Sequence, residues 1–295
     1  MMVPQTIRTT KLGKHELRLV RKNAVFHGLV VGGNIRIEGA DPEEVWTRLH
    51  QEAGKADPRY FGYAGAQARF LKFFPNGFVS EGFTGQERAY KVKAKASLDA
   101  HAPLERALNE TGLGEALLGI FNTNMLSPFE KMRVRDLLRG PAADAFVRAA
   151  AAFAANPTDA ALRRLDGILR PHDCAKWTVV TYLPFLWSPE AHLFLKAEVT
   201  KDYAVRVGHS FAEIYEGRLI PAVYRSLLDL AERTQAEVAD LKPRDLIDIQ
   251  SFIWTAGATV TTKTASSRSS AQHGPPVDAT GRAAAARSGG AFRLI

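Results

Sequence analysis

The sequence predicts a predominantly helical α+β fold with a small N-terminal β-meander and a disordered C-terminal tail. Three observations support this prediction. Apolar and polar residues alternate in short runs before Asp41, as they do in strands. From Asp41 to Trp254 apolar residues recur mainly every three or four positions, which is typical of amphipathic helices. Beyond Ala256 the composition changes to Ser, Thr, Ala, Gly and Arg.

Length and composition favour a soluble cytoplasmic protein. The chain has 295 residues, 46% of them hydrophobic and 24% charged, which suits one large domain or two modest ones. Cys174 is the only cysteine, so an intramolecular disulfide is excluded and a reducing compartment is expected. The longest apolar run, 177–187, contains Pro184 and is about half of the roughly 20 residues that a membrane span needs. We therefore expect no membrane association.

Three strands are predicted at 16–20, 25–31 and 34–38, with Gly32 and Gly33 in the turn before the third. The first helix is predicted after Asp41, which is placed to cap it, with Pro42 at its first position. Ser127, Pro128 and Glu130 form a second strong start signal, a capping box. Helices are predicted at about 64–74, 86–100, 116–121, 127–139, 142–155, 159–169, 220–241 and 243–254.

Two further segments, 178–183 and 193–195, are β-branched or apolar and predict buried strands or extended core segments. The domain organisation predicted from these elements is an N-terminal α+β half at 1–123 and a mainly helical half at 124–256. Residues 257–295 lack the apolar content that would offset the entropy lost on ordering, so we predict a disordered tail.

The net charge of +8 is concentrated in two places. Residues 257–295 hold +4, and residues 59–95 hold +5, so the rest of the chain sums to −1. Residues 59–95, which we call the basic-aromatic segment, interleave cations with aromatic rings. Cations neutralise phosphates, and exposed rings stack on unpaired bases. The segment therefore predicts nucleic-acid binding through Arg69, Lys72, Arg88, Lys91, Lys93 and Lys95. The alternative is that the rings form core and the lysines a solvated face.

Candidates for catalysis are isolated side chains. His172 and Cys174 lie close together in sequence and could form an activated thiolate, although they follow Pro171 in a predicted loop. His192 is a further candidate base. Asp245 and Asp248 could share a helix face as metal ligands, or they could stabilise the positive end of the helix that begins near Pro243. No dinucleotide, phosphate-loop or zinc-protease motif is present, so the sequence predicts no metal site and no cofactor.

Four strings resemble a group of uncharacterised bacterial cytosolic proteins: RFLKFFPNGF, SPFEKMRVRD, PFLWSPEAHLFLKAEVT and KPRDLIDIQSFIW. The resemblance covers roughly residues 15–254 and implies a soluble bacterial protein, but it transfers no catalytic residue. From the residues we therefore expect a nucleic-acid-associated protein. The alternatives are a hydrolase-like enzyme with an unrecognised pocket, and an interaction module that self-associates through residues 220–241.

Overall fold

The N-terminal residues form a four-stranded antiparallel meander in the order β1-β2-β3-β4. The strands are β1 Gln5–Leu12, β2 His15–Lys22, β3 Val25–Val30 and β4 Arg36–Gly39. Leu17 and Leu19 of β2 are buried on one face of the sheet because successive side chains of a strand point to opposite faces. The predicted meander is confirmed, but β1 was not predicted. Its sequence is polar, and only Leu12 is buried.

The rest of the computed structural model is helical; in all, it describes residues 4–12, 15–55 and 57–257. The tail predicted for 257–295 lies outside these residues except for Gly257. The helices are α1 Pro42–Gly54, α2 Gly62–Phe73, α3 Glu81–Phe83, α4 Ala89–His101, α5 Leu104–Asn109, α6 Gly114–Leu117, α7 Pro128–Arg139, α8 Ala143–Ala155, α9 Asp159–Leu169, α10 Trp177–Trp187, α11 Ala197–Val207, α12 Phe211–Ile214, α13 Pro221–Glu237 and α14 Leu246–Gly257.

The strongest sequence signals mark real helix starts. The Asp41 carboxylate accepts hydrogen bonds from the amides of Glu43 and Glu44 at the start of α1. Ser127 and Glu130 form the predicted capping box of α7, since each side chain bonds the backbone amide of the other residue. These side chains satisfy amides that have no partner within the helix.

The two predicted C-terminal strands are wrong. Residues 178–183 belong to helix α10, and residues 193–195 form no strand. In α10 every residue except Thr178 is buried. A helix buried on all sides shows no periodicity, so its sequence cannot be told from that of a buried strand. Of the helix predicted at 116–121, only the start is found, in α6.

Two hydrophobic cores are present in the described part of the chain. The smaller packs α1 on the sheet through Val45, Trp46 and Leu49. The larger joins the helices from Tyr63 to Ala256 and takes residues from both sides of position 123. It includes Val223, Leu227, Leu230, Ala231 and Val238. The apolar face of residues 220–241, predicted to mediate self-association, is therefore internal.

Helix α1 meets the helical body at Gly208, which ends α11 in the left-handed conformation with φ of 71°. A β-carbon at Gly208 would lie 2.9 Å from the Cα of Gln51 and 3.2 Å from the carbonyl oxygen of His50. A β-carbon at Gly54 would likewise lie 3.1 Å from the Cα of Gly208. The two backbones therefore touch with no side chain between them.

In the described residues, no helix is both long and apolar enough to cross a bilayer.

We expect Gly208→Ala to lower the free energy of unfolding more than Gly112→Ala does. Both glycines have positive φ, 71° and 77°, so each alanine carries a cost of about 1–2 kcal/mol. A β-carbon at Gly112 meets nothing within 4 Å, whereas one at Gly208 collides with α1. Overpacking at Gly208 should add about 1–3 kcal/mol. Urea unfolding measures both losses, and equal losses would show that the contact with α1 is not tight.

Candidate functional site

The rings of the basic-aromatic segment are mostly internal. Phe70 and Phe74 are buried, and their ring centroids lie 5.3 Å apart. Phe70 also packs at 5.0 Å against Phe252 of α14. Phe73 is the exception, with 43% of its surface exposed. The core interpretation of these rings therefore holds for most of the segment, and the surface that could stack on bases is small.

Two of the six predicted phosphate-binding cations are committed to internal ion pairs. Arg88 donates to both carboxylate oxygens of Asp245, the shorter contact being 2.6 Å, and at 2.8 Å to Asp248. Lys91 is fully buried and donates at 2.6 Å to the hydroxyl of Ser251. Burial lowers the pKa of Lys91 to about 8, although Glu87 opposes this effect. Because both side chains are held in internal contacts, neither Arg88 nor Lys91 is available to bind an external phosphate, contrary to the prediction.

The other four predicted cations are less buried. Lys72 and Lys93 are exposed, whereas Arg69 and Lys95 are half-buried. Lys95 bonds the carboxylate of Asp99 at 3.0 Å. The structure therefore leaves Lys72 and Lys93 as the most accessible cations of the predicted set.

The predicted catalytic residues do not converge on one site. Cys174 is buried, and burial raises the pKa of its thiol to about 11, so the thiolate is disfavoured at neutral pH. Among the described residues no hydrogen bond joins the Cys174 thiol to His172. His192 is buried, with its two ring nitrogens bonded to the hydroxyl of Tyr224 and the carbonyl of Ala154. Both ring nitrogens are therefore engaged in hydrogen bonds within the protein, and neither is available to act as the predicted base.

Asp245 and Asp248 have structural partners. One oxygen of Asp245 accepts hydrogen bonds from the amides of Ile247 and Asp248, which is the helix-start role considered for it. Asp248 is fully buried between Arg88 and Arg244. In the described chain no three His, Cys, Asp or Glu side chains are grouped as metal ligands.

A further candidate site, which the sequence did not predict, is a cavity of about 620 Å³. We call it the His50 cleft. Strand β1 and helix α1 form one side, and residues 208–214 with α13 form the other. Its lining is Arg8, Thr9, Thr10, Glu43, Trp46, Thr47, His50, Gly208, His209, Ser210, Ile214, Ala222, Arg225, Ser226, Asp229 and Arg233.

His50 is 1% exposed, and neither of its ring nitrogens has a hydrogen-bond partner in the described residues. Helical spacing brings His50 against Trp46, and the two rings form an edge-to-face contact with centroids 4.8 Å apart. Burial lowers the pKa of His50 to about 3, and repulsion from Arg8, and from His209 whenever that ring is protonated, adds to this effect. At neutral pH the ring is uncharged and offers one donor and one acceptor.

His209 lies beside His50 but has both ring nitrogens engaged. Its Nε2 bonds Asp229 at 2.8 Å, and its Nδ1 accepts the amide of Phe211 at 3.1 Å. The Nδ1 contact places the proton of neutral His209 on Nε2. Partial burial alone would raise the pKa of Asp229, but hydrogen bonds from His209 and Arg233 lower it to about 2. Asp229 is therefore a carboxylate that fixes both donors in place.

Three arginines line the cleft. Arg8 makes a two-point contact with Glu43, at 2.6 and 3.1 Å, and its guanidinium lies 5.3 Å from the Trp46 ring. Arg233 uses Nε to bond Asp229, and Arg225 uses one terminal nitrogen to bond Asp159. These contacts orient the guanidinium groups around the cavity.

Two signals in the sequence could have drawn attention to this site. His50 follows Leu49 in the buried face of the well-predicted helix α1, where a histidine is unusual. His209 follows Gly208, which ends α11. The pairing of these two histidines depends on a contact between segments about 160 positions apart, which no local spacing reports.

No protein-family model matches this chain, and no curated protein or solved structure matches it either.

We expect His50→Phe to make the protein less sensitive to acid. The pKa of His50 is about 3 in the folded state against 6.5 for the ordinary side chain, so the unfolded chain binds the extra proton. Stability should therefore fall as the pH drops from 6.5 towards 3. A phenylalanine at this position keeps a ring but cannot bind a proton. The variant should therefore avoid a decrease in the free energy of unfolding of up to about 1.4 kcal/mol per pH unit.

Urea unfolding of wild type and His50→Phe at several pH values between 7 and 4 measures this difference. His101→Phe, at an exposed histidine outside the cleft, is the matched control. An equally steep decline in wild type and His50→Phe would contradict the buried, neutral state of His50.

Proposed function

We propose that this protein binds a small polar molecule in the His50 cleft. The observation that carries the proposal is the buried His50 ring, which lines the cavity and whose two nitrogens have no hydrogen-bond partner among the described residues. More than nine in ten buried polar groups in proteins are hydrogen-bonded, and an unsatisfied one costs about 1–3 kcal/mol. A ligand that supplies an acceptor and a donor would recover this free energy.

The dimensions of the cleft support the same proposal. Its volume of about 620 Å³ falls within the range of roughly 300–1,000 Å³ that is usual for small-molecule sites. Trp46, Ile214 and Ala222 supply apolar contacts, while His50 and Ser226 supply polar ones. The Ser226 hydroxyl is also buried without a hydrogen-bond partner in the described residues.

Binding is better supported than hydrolysis. A general base should have a pKa near the working pH, and the pKa of His50 is about 3. His209 cannot act as the base without losing its contact with Phe211 or Asp229. Cys174, the predicted nucleophile, is not among the residues that line the cleft. The hydrolase-like alternative therefore has less support than a binding function.

A thermal-shift screen of small carboxylic acids, phosphates, amines and neutral polar compounds tests the proposal. We expect at least one compound to raise the unfolding temperature of wild type and of the His101→Phe control. His50→Phe should lose most of this shift because its ring cannot form hydrogen bonds. If no compound shifts wild type, or if every shift persists in His50→Phe, the proposed function is wrong.

We propose nucleic-acid binding by the basic-aromatic segment as a second function, now limited to its accessible part. Exposed Phe73 follows exposed Lys72 in α2, so one ring and one cation remain together on the surface. Lys93 is the other accessible cation of the set. Lys72 and Phe73 offer one phosphate contact and one stacking surface, and Lys93 offers a second phosphate contact.

Filter binding of single-stranded nucleic acid at two salt concentrations tests the second function. Retention should fall with salt, and the combined Lys72→Gln and Lys93→Gln variant should reduce the salt slope by about one per lost phosphate contact. Arg163→Gln with Arg164→Gln, at two exposed positions of α9, is the charge-matched control. Absence of retention at both salt concentrations would end this proposal.

A further inference from the structure

We propose that the ligand of the His50 cleft is a small organic anion, with a carboxylate or phosphate group held by Arg225 and Arg233 and an apolar part beside Trp46. This inference rests on the proposed binding function and adds the chemical class of the ligand. Its basis is an imbalance in the cleft between free hydrogen-bond donors and free acceptors.

The donors of the cleft exceed the acceptors that the protein offers them. Arg233 bonds Asp229 through Nε alone, so its terminal nitrogens have no acceptor in the described residues. Arg225 bonds Asp159 through one terminal nitrogen and has further N–H groups to donate. A guanidinium carries five N–H donors and no acceptor. His50 and Ser226 each add one buried donor without a protein partner.

The carboxylates of the cleft are already engaged. Both oxygens of Glu43 accept from Arg8, and both oxygens of Asp229 accept from Arg233, with His209 as a second donor to one of them. A cationic ligand would have to displace one of these contacts to reach a negative charge. An anionic ligand needs no such exchange, because it meets donors that are unused.

The electrostatics of the buried end favour an anion as well. Burial is the main cause that keeps His50 uncharged, and the nearby Arg8 guanidinium further disfavours a positive charge on the ring. A guanidinium also binds a carboxylate or phosphate in a two-point geometry that an ammonium cannot match. Arg233, with 29% of its side chain exposed, is partly shielded from solvent, which strengthens such a contact.

Four probes with one ring and different charge test the inference: benzoate, phenyl phosphate, benzamide and benzamidine. Isothermal titration calorimetry on the full chain should detect benzoate or phenyl phosphate, and the tighter of the two identifies the acidic group. Benzamide has nearly the shape of benzoate without the charge and should bind at least about tenfold more weakly, because it cannot form charged hydrogen bonds with the guanidinium groups. Benzamidine should not bind.

Arg225→Gln and Arg233→Gln should each weaken binding of the anionic probe, Arg233→Gln by about tenfold or more because that side chain is less exposed. Arg164→Gln, which removes the same charge outside the cleft, should leave the affinity unchanged. Thermal unfolding of each variant establishes that it is folded. His50→Phe should weaken the binding of both benzoate and phenyl phosphate. This result would show that both anions bind in the cleft.

Three results would overturn the inference. They are benzamide or benzamidine binding as tightly as the anions, unchanged anion affinity in both arginine variants, and no anion binding at up to about 10 mM, where a Kd of about 1 mM would still be seen. The broader screen separates this failure from failure of the binding function. If a neutral or cationic compound stabilises wild type but not His50→Phe, the cleft remains a binding site but the inference that its ligand is an anion is wrong.

Discussion

The contact between Gly208 and helix α1 is the constraint on which the candidate site depends. The sheet with α1 and the helical body have separate hydrophobic cores, and side chains larger than hydrogen would hold their backbones apart at this point. His50 and His209 are immediate neighbours of the contact on its two sides. Their common cleft therefore follows from a backbone-to-backbone distance rather than from any attraction between the imidazoles.

A second constraint explains why Arg88 and Lys91 of the basic-aromatic segment add little accessible charge to the surface. A cluster of three cations and three anions joins α14 and the residues just before it to α4 and the π-helical segment Thr84–Arg88 that precedes α4. Its members are Arg88, Lys91, Arg244, Glu87, Asp245 and Asp248. Lys91 and Asp248 are fully buried, whereas Arg244 is 41% exposed. The buried charges are tolerated because each has an opposite charge within reach. Arg88 and Lys91, which the sequence predicts to bind phosphate, thus form ion pairs and hydrogen bonds that hold these helices together.

The sequence predicts local structure well where the signal is local. The caps at Asp41 and Ser127 mark helix starts, because a capping side chain and its amide partners are two or three positions apart. Helix α10 could not be distinguished from a strand, since burial on every side removes the periodicity that separates the two. The partners of Arg88 lie 157 and 160 positions away, and the cleft joins β1 to α13. Contacts between residues so far apart in the chain leave no local pattern in the sequence, so they are seen only in the folded structure.

Strand β1 borders the cleft and is also an edge of the sheet, with no strand on its outer side in the described residues. An open edge can recruit a strand from another molecule and start aggregation. Here the register shifts between Thr6 and Arg8, and Arg8 and Lys11 place charges along the strand. Both features discourage a foreign strand from docking. Since Arg8, Thr9 and Thr10 also line the cavity, the part of the edge strand that is least suited to pairing is the part that borders the cleft.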